Sequence, residues 1–517
     1  MRRSAVVALA LAAAVAVTLS GLARVSGTVV WDDAFIAVRY ADRLLTEGRL
    51  SWQPGGAPTW GLTAPLSLLV LVPARLLCDG SAAAAAQVAS FACGLALLPA
   101  LLALVRRATR DRPAARGPAL AVLCVALGLA APRLGDHMAS GMDTTFGMLW
   151  AALLLLAHLR TDTPRGEALA AALGGLAFFA RPELALLAFA LAGARAVTGP
   201  AIARRRAALG LVATGVILAA GLAVAAASFG TPLPLPFFAK ATALYGPTIH
   251  ERYAGVGVRE FAAYLGTLLP LPLAILAGAL AVVRGRGRSF DAVEIGLGLA
   301  VFLHLAWHAL FVLPVMHYSQ RFQFPTLPAL VYLSACGVAR AVEAWPPRAA
   351  CVLALTLAGL AATGVRAVPE ARALAHSIER DAFGRFDLLE AGRLAGWDRH
   401  WPGLIGLSGL PGPPSVATTE VGYPAVLLPG GRVFDLAGLN ETDVALGRVS
   451  SAGLIARERP EVVYLPNPDY LEMRAAIVAD PAFGRDYELL AGAGVALRRD
   501  GPRRDAMRSI LAAEGWR

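Results

Sequence analysis

AAAAAQVASFACGLALLPALLALV, residues 82–105, runs for 24 positions without a charge and ends at Arg106 and Arg107. A helix of that length rises about 36 Å, enough to cross the roughly 30 Å hydrocarbon core of a bilayer. Apolar runs of this kind recur near 4–23, 117–132, 142–159, 167–180, 183–202, 207–228, 261–283, 290–313, 324–343 and 349–367. Of 517 residues 57% are hydrophobic, and the mean hydropathy is +0.59. That balance excludes an ordinary soluble enzyme and predicts a mainly α fold, a polytopic helical membrane bundle of about 11 transmembrane helices.

The formal charge of +11 does not indicate a nucleic-acid partner. The arginines stand in short clusters between apolar runs and read as topology signals. The run from Ala64 to Cys78 is short, contains Pro65 and Pro73, and is followed by Asp79. If it crossed the membrane, Arg106, Arg107, Arg110, Arg112 and Arg116 would lie outside, against the positive-inside rule. Placed in the interface, it leaves that cluster inside with Arg2 and Arg3, Arg204 to Arg206, and Arg284, Arg286 and Arg288. The expected topology has the N-terminus in and the C-terminus out, with the first apolar segment retained rather than cleaved as a signal peptide.

This divides the chain into a transmembrane domain, 1–369, with a first external loop at 24–80, and an extracytoplasmic tail, 370–517. The tail has Gly and Pro punctuation and short β-like runs at Ser415 to Thr419, Arg432 to Leu436, Glu461 to Leu465 and Val495 to Arg498, so a small α/β domain is expected. Cys78, Cys93, Cys124, Cys336 and Cys351 lie in or beside apolar segments, with no disulfide framework or zinc spacing.

The polar residues with chemical promise fall on the external side. Trp31-Asp32-Asp33-Ala34-Phe35 places two adjacent carboxylates just past the first span. An N-cap near Ala34 explains one of them; the second adds repulsion and points to a cation or substrate at the membrane mouth. Arg39 and Arg43, at i+7 and i+11 from Asp32, share its helical face. Phe35, Val38 and Leu45 suit an apolar stripe on the interface. Lys240 is the one lysine beside 46 arginines. A compact ammonium kept in so arginine-biased a chain suggests a site that a planar guanidinium does not fit. Asp143 opens a span, Arg181-Pro182-Glu183 joins two, and Arg321 lies in a turn before Pro325. His304 and His308 have metal-ligand spacing without an intervening Glu, and read as buried, hydrogen-bonded histidines. No phosphate-binding loop, dinucleotide fingerprint or nucleophile elbow occurs.

These motifs resemble the GT-C superfamily of polytopic glycosyltransferases, and within it the family of the mycobacterial terminal arabinofuranosyltransferase. Asp32-Asp33-Ala34-Phe35-Ile36 with Arg39-Tyr40 matches the acidic pair of the first external loop. Gly61-Leu62-Thr63-Ala64-Pro65-Leu66 follows the next element with its tyrosine replaced. Gly141-Met142-Asp143-Thr144 and Arg181-Pro182-Glu183 match two turns. Pro234-Leu235-Pro236-Phe237-Phe238-Ala239-Lys240 matches a loop without its Asn, and Arg321, Pro325 and Pro328 match an Arg-Pro-Pro element. Val421-Gly422-Tyr423 and Asp435-Leu436-Ala437-Gly438-Leu439 resemble the soluble domain.

The resemblance implies an inverting transfer of sugar from a polyprenyl-phosphate donor to a cell-envelope glycan, lipid or protein acceptor. It places the protein in the bacterial cytoplasmic membrane, among membrane lipid. An acceptor hydroxyl needs a base, for which Asp32 is the candidate with Asp33 beside it. The phosphate leaving group needs cations, Lys240 and Arg321 with Arg181. Arg39, Asp143 and Glu183 are expected to orient substrate. Metal dependence stays open, since Asp32, Asp33 and Asp143 offer oxygen ligands to a divalent cation. The competing reading is a multi-pass transporter or flippase for a lipid-linked or envelope glycan.

Overall fold

The computed structural model describes residues 3–25, 30–78, 80–198, 201–241, 245–310, 312, 318–345, 401–490 and 494–513. The expected span at 349–367 lies outside them. Fifteen helices come first: α1 (Arg3–Val25), α2 (Asp32–Glu47), α3 (Leu68–Leu77), α4 (Ala82–Ala108), α5 (Pro113–Ala139), α6 (Thr144–His158), α7 (Pro164–Ala180), α8 (Leu184–Thr198), α9 (Ala201–Phe229), α10 (Leu235–Ala241), α11 (Gly246–Arg252), α12 (Val256–Thr267), α13 (Pro270–Val283), α14 (Ala292–Leu310) and α15 (Leu327–Ala344).

The chain is a multi-pass membrane protein, but the described residues do not reach eleven full spans. Among the described residues five helices are long and apolar enough to cross a bilayer: α4, α5, α9, α14 and the segment Phe324–Ala344 that includes α15. A sixth span arises if α12 and α13, bent by 81°, count as one. Pro270 and Pro272 explain that bend, since proline cannot continue the helix that precedes it. α6 and α8 have 15 residues each, because polar turns at 141–143 and 181–183 cut them short. α3, with 10 residues, rises about 15 Å and is too short to cross.

The chain forms two compact units. The first comprises 1–28, 89–220 and 255–384, as far as these are described. Its helices meet through small residues, as expected where lipid offers no hydrophobic drive to association. A Cβ on Gly278 of α13 would lie 2.4 Å from the Cα of Gly337 on α15, and one on Gly337 would lie 2.2 Å from the Ala274 carbonyl oxygen. On the α1–α5 contact, Ser20 Oγ donates to the Ala131 carbonyl at 3.0 Å and Arg24 pairs with Asp136 at 2.6 Å.

The second unit comprises 29–88, 221–254 and the described residues of 385–517. Its sheet contains β1 (Val416–Thr418), β2 (Val433–Asp435), β3 (Val462–Tyr464), β4 (Tyr487–Leu490) and β5 (Val495–Arg498), in the order β2-β1-β3-β5-β4. β1 is parallel to β2 and β3; β5 is antiparallel to β3 and β4. The helices Gly422–Leu427 and Ser451–Glu458 make the crossovers between the parallel strands. Four of these strands fall on the expected β-like runs, and β4 is additional.

The described residues of 30–78 share this unit's core. α2 packs on the helix Gly422–Leu427, with the Phe35 and Tyr423 ring centroids 4.9 Å apart. Phe35 and Val38 are fully buried there rather than lying on a membrane interface. Edge strand β2 is closed by the loop: Gln53 accepts from the Val433 amide at 3.1 Å and donates to its carbonyl at 2.8 Å, and the Trp52 indole donates to the same carbonyl at 2.6 Å. Unpaired edge groups are a pairing hazard, and this side-chain clasp occupies them.

Candidate functional site

In the second unit, α2 begins at Asp32, so both acids lie in its first turn rather than at an N-cap near Ala34. The reason is the destination of the Asp32 side chain. Its two oxygens accept from the backbone amides of Gly422, at 2.9 Å, and Tyr423, at 2.8 Å. The Tyr423 hydroxyl donates back to the Val30 carbonyl at 2.8 Å. The fit requires glycine: a Cβ on residue 422 would lie 1.8 Å from the Asp32 carbonyl oxygen. Asp32 thus joins α2 to the turn after β1, while its neighbour Asp33 is half-buried.

Arg39 and Arg43 do share the Asp32 face, and all three reach residues 422–431. Arg39 is buried; it donates to the carbonyls of Trp52 at 2.8 Å, Ala425 at 2.9 Å and Gly431 at 2.8 Å, and stacks over the Trp52 ring at 4.8 Å. Arg43 donates to the Pro429 carbonyl. Arg39, expected to orient substrate, directs its fork to backbone carbonyls and orients α2.

Further carboxylates act on or with Asp32, and sequence reasoning did not single out Glu420 among them. Glu420 accepts from Asn467 Nδ2 at 2.8 Å. Asp435, fully buried, accepts from the amides of Ala437 and Asn440 and from Asn440 Nδ2, each at 2.9 Å. Burial, together with the charges of Asp33 and Asp435, raises Asp32 to about 7 against the pull of the Tyr423 and Gly422 amides. Burial and the charges of Asp32, Asp33 and Asp435 raise Glu420 to about 8. Burial raises Asp435 to about 7. A group of acids that change protonation near neutral pH is suited to accepting and releasing protons. The available sequence signal for Glu420 was its place directly before Val421-Gly422-Tyr423.

Lys240 belongs to the same unit. It is half-buried on α10, which packs on the helix Thr442–Ala445. The stiff approach Pro232-Leu233-Pro234 is tied down where the Leu235 amide donates to the Trp60 carbonyl at 2.8 Å.

The first unit holds Asp143, Arg181, Glu183 and Arg321. Arg181 is buried and donates to Asp143 at 2.9 Å and to Glu183 at 2.6 Å. Its Cδ would lie 2.2 Å from a Cβ on Gly147, so the glycine makes room for it. Arg181, aided by His308 and His304, overcomes burial and holds Glu183 down at about 2. The three expected residues therefore form one ion-paired group. Arg321, also buried, lies over the Phe322 ring at 4.9 Å. Its loop is strained: Ser319 and Gln320 have φ of 53° and 59°, and the buried side-chain oxygens of Gln320 and Gln323 have no hydrogen-bond partner among the described residues. His304 is buried and bonded to the Phe322 carbonyl at 2.6 Å, as expected. Among the described residues, no three His, Cys, Asp or Glu side chains are grouped to hold a metal ion.

No protein-family model matches the chain, and no curated protein sequence does. Solved structures do. ArnT from Cupriavidus metallidurans bound to undecaprenyl phosphate superimposes with a TM-score of 0.58 at 15% identity, covering 96% of this chain and 98% of that one. The apo state of the same protein gives a TM-score of 0.56 at 16% identity over the same shares. The chain has the fold of ArnT. The likeness is one of fold, extending over nearly the whole chain at an identity too low to carry residue roles.

Proposed function

We propose that the protein is an inverting glycosyltransferase that moves a sugar from a polyprenyl-phosphate donor to a glycan, lipid or protein acceptor of the cell envelope, at the extracytoplasmic face of the bacterial cytoplasmic membrane. The observation that carries this reading is the fold shared over 96% of the chain with a protein solved with undecaprenyl phosphate bound. The adjacent carboxylates Asp32 and Asp33 at the start of α2 supply the matching chemistry.

In this reading Asp33 is the base. Asp32 directs both oxygens to backbone amides and so fixes the helix turn that presents Asp33. Asp33 takes the proton of an acceptor hydroxyl as its oxygen attacks the anomeric carbon. The bond from that carbon to the phosphate oxygen breaks, and polyprenyl phosphate leaves with the electron pair. A phosphate needs no general acid to depart, only a cation for its charge, and Lys240 is the cation assigned from the same unit. The Arg181 group is a rigid framework of the first unit.

The test is donor consumption by purified protein in detergent, offered a panel of undecaprenyl-phosphate sugars with and without envelope glycans. The expected result is turnover of one donor, with Asp33→Asn about 10²- to 10⁴-fold slower, the usual worth of a positioned base. Asp33→Asn turning over at the wild-type rate would remove the assignment. No donor consumed, with substrate uptake into liposomes, would replace transfer by transport.

A further inference from the structure

Glu420 has no role in the transfer just described, yet it is held with care. Among the described residues its carboxylate has one hydrogen-bond partner, Asn467 Nδ2 at 2.8 Å, which leaves one oxygen unused. Asn467 is oriented for this task, because its Oδ1 accepts from the Asp469 amide at 2.8 Å and so turns the Nδ2 group toward Glu420. The turn that follows, Pro468–Tyr470, brings the Tyr470 ring edge-on to Tyr245, with centroids 5.3 Å apart.

The two tyrosines differ in what their hydroxyls do. Tyr245 donates to the Ala437 carbonyl at 3.2 Å. Tyr470 is only 7% exposed, and its hydroxyl has no hydrogen-bond partner among the described residues. Burial, the neighbouring Tyr245 and the charges of Glu420, Asp435 and Asp33 all push this phenol well above the usual tyrosine range. An unfilled carboxylate oxygen, an unfilled phenol and an aromatic pair are the elements that sugar hydroxyls and sugar C–H faces fit. An anionic ligand would be repelled here.

We propose that Glu420 and Tyr470 form a carbohydrate-binding subsite that seats the acceptor glycan beside Asp33. The inference rests on the transferase reading for the word acceptor, and on the second unit alone for the binding. At neutral pH the raised Glu420 carboxyl both donates and accepts hydrogen bonds, as a sugar hydroxyl does.

The experiment uses the full chain in detergent on an array of printed mannose, galactose, arabinose and rhamnose oligosaccharides. Wild type should bind at least one class. Glu420→Ala and Tyr470→Phe should each lower that signal at least tenfold. Tyr470→Phe removes a single oxygen, and an unchanged thermal unfolding midpoint checks that the unit is intact. No oligosaccharide bound by wild type, or both variants binding like wild type, overturns the subsite. Donor consumption in the same preparations separates the two readings. Turnover without array binding defeats only the subsite, and Glu420-dependent binding without turnover defeats only the transfer.

Discussion

Asp143 and Glu183 share the guanidinium of Arg181 between them, at 2.9 and 2.6 Å, whereas Asp32, Glu420 and Asp435 accept hydrogen bonds from uncharged N–H groups. The consequence for charge is opposite. Arg181 holds Glu183 at about 2, and the acids of the second unit rise to about 7 or 8. A carboxylate bound to a buried cation is fixed in one protonation state and serves geometry. A carboxylate held by amides, among other carboxylates, remains able to exchange a proton under ordinary conditions. The same residue types thus do structural work in one unit and have the properties chemistry needs in the other.

The contrast can be broken most forcefully at Arg181. Arg181→Ala leaves Asp143 and Glu183 without their cation, and stability should fall by about 3–5 kcal/mol, the cost of removing one partner of a buried ion pair. Thermal unfolding in detergent measures it. A loss under about 1 kcal/mol would place this group among surface pairs, which contribute little.

A smaller effect is expected from Gly422→Ala. The new Cβ meets the Asp32 carbonyl oxygen at 1.8 Å, so α2 must withdraw from the amides that hold it. Overpacking of this kind costs about 1–3 kcal/mol. Hydrogen exchange should show faster opening at the Gly422 and Tyr423 amides, and unchanged protection would mean that Asp32 does not hold the joint.

The mildest perturbation is pH. Asp32, Glu420 and Asp435 bind protons more tightly folded than unfolded, at about 7, 8 and 7 against 3.8, 4.5 and 3.8. Unfolding then releases protons, so the stability they contribute is fully present below about pH 4 and is lost as pH rises through 7 to 8. Glu183 has the reverse sign: its contribution is present above about 4.5 and lost as pH falls through about 2. Exchange corrected for its intrinsic pH dependence should show residues 416–435 better protected at pH 5.5 than at pH 8.5, and residues 177–187 indifferent over that range. Equal behaviour of the two segments would erase the distinction.

Much of this was legible in the chain itself. Hydropathy located the helices, because an uncharged run such as 82–105 has few alternatives to a membrane, and the acidic pair stood out because adjacent like charges need a reason. Two things were hidden. Span completeness depends on where polar turns cut a helix, and the turns at 141–143 and 181–183 shorten α6 and α8 to 15 residues each. Site membership depends on contacts between distant segments. Glu420 has no spacing signal because its neighbours come from residues 32, 33, 435 and 467. β4 was missed for a local reason: it is an edge strand carrying Glu488, and edge strands carry charges that blur the apolar pattern.

The bond from Asp32 to Gly422 spans 390 residues of sequence. At ribosomal rates of about 5–20 residues per second, roughly 20–80 s separate the making of its two ends. Throughout that interval α2 has left the ribosome with its acidic turn unanchored. Glu420, Asn467 and Tyr470 do not yet exist. The arrangement works as a clock: the acids come together only after the intervening helices have been synthesised, so a chain caught midway holds the pair without the turn that orders it.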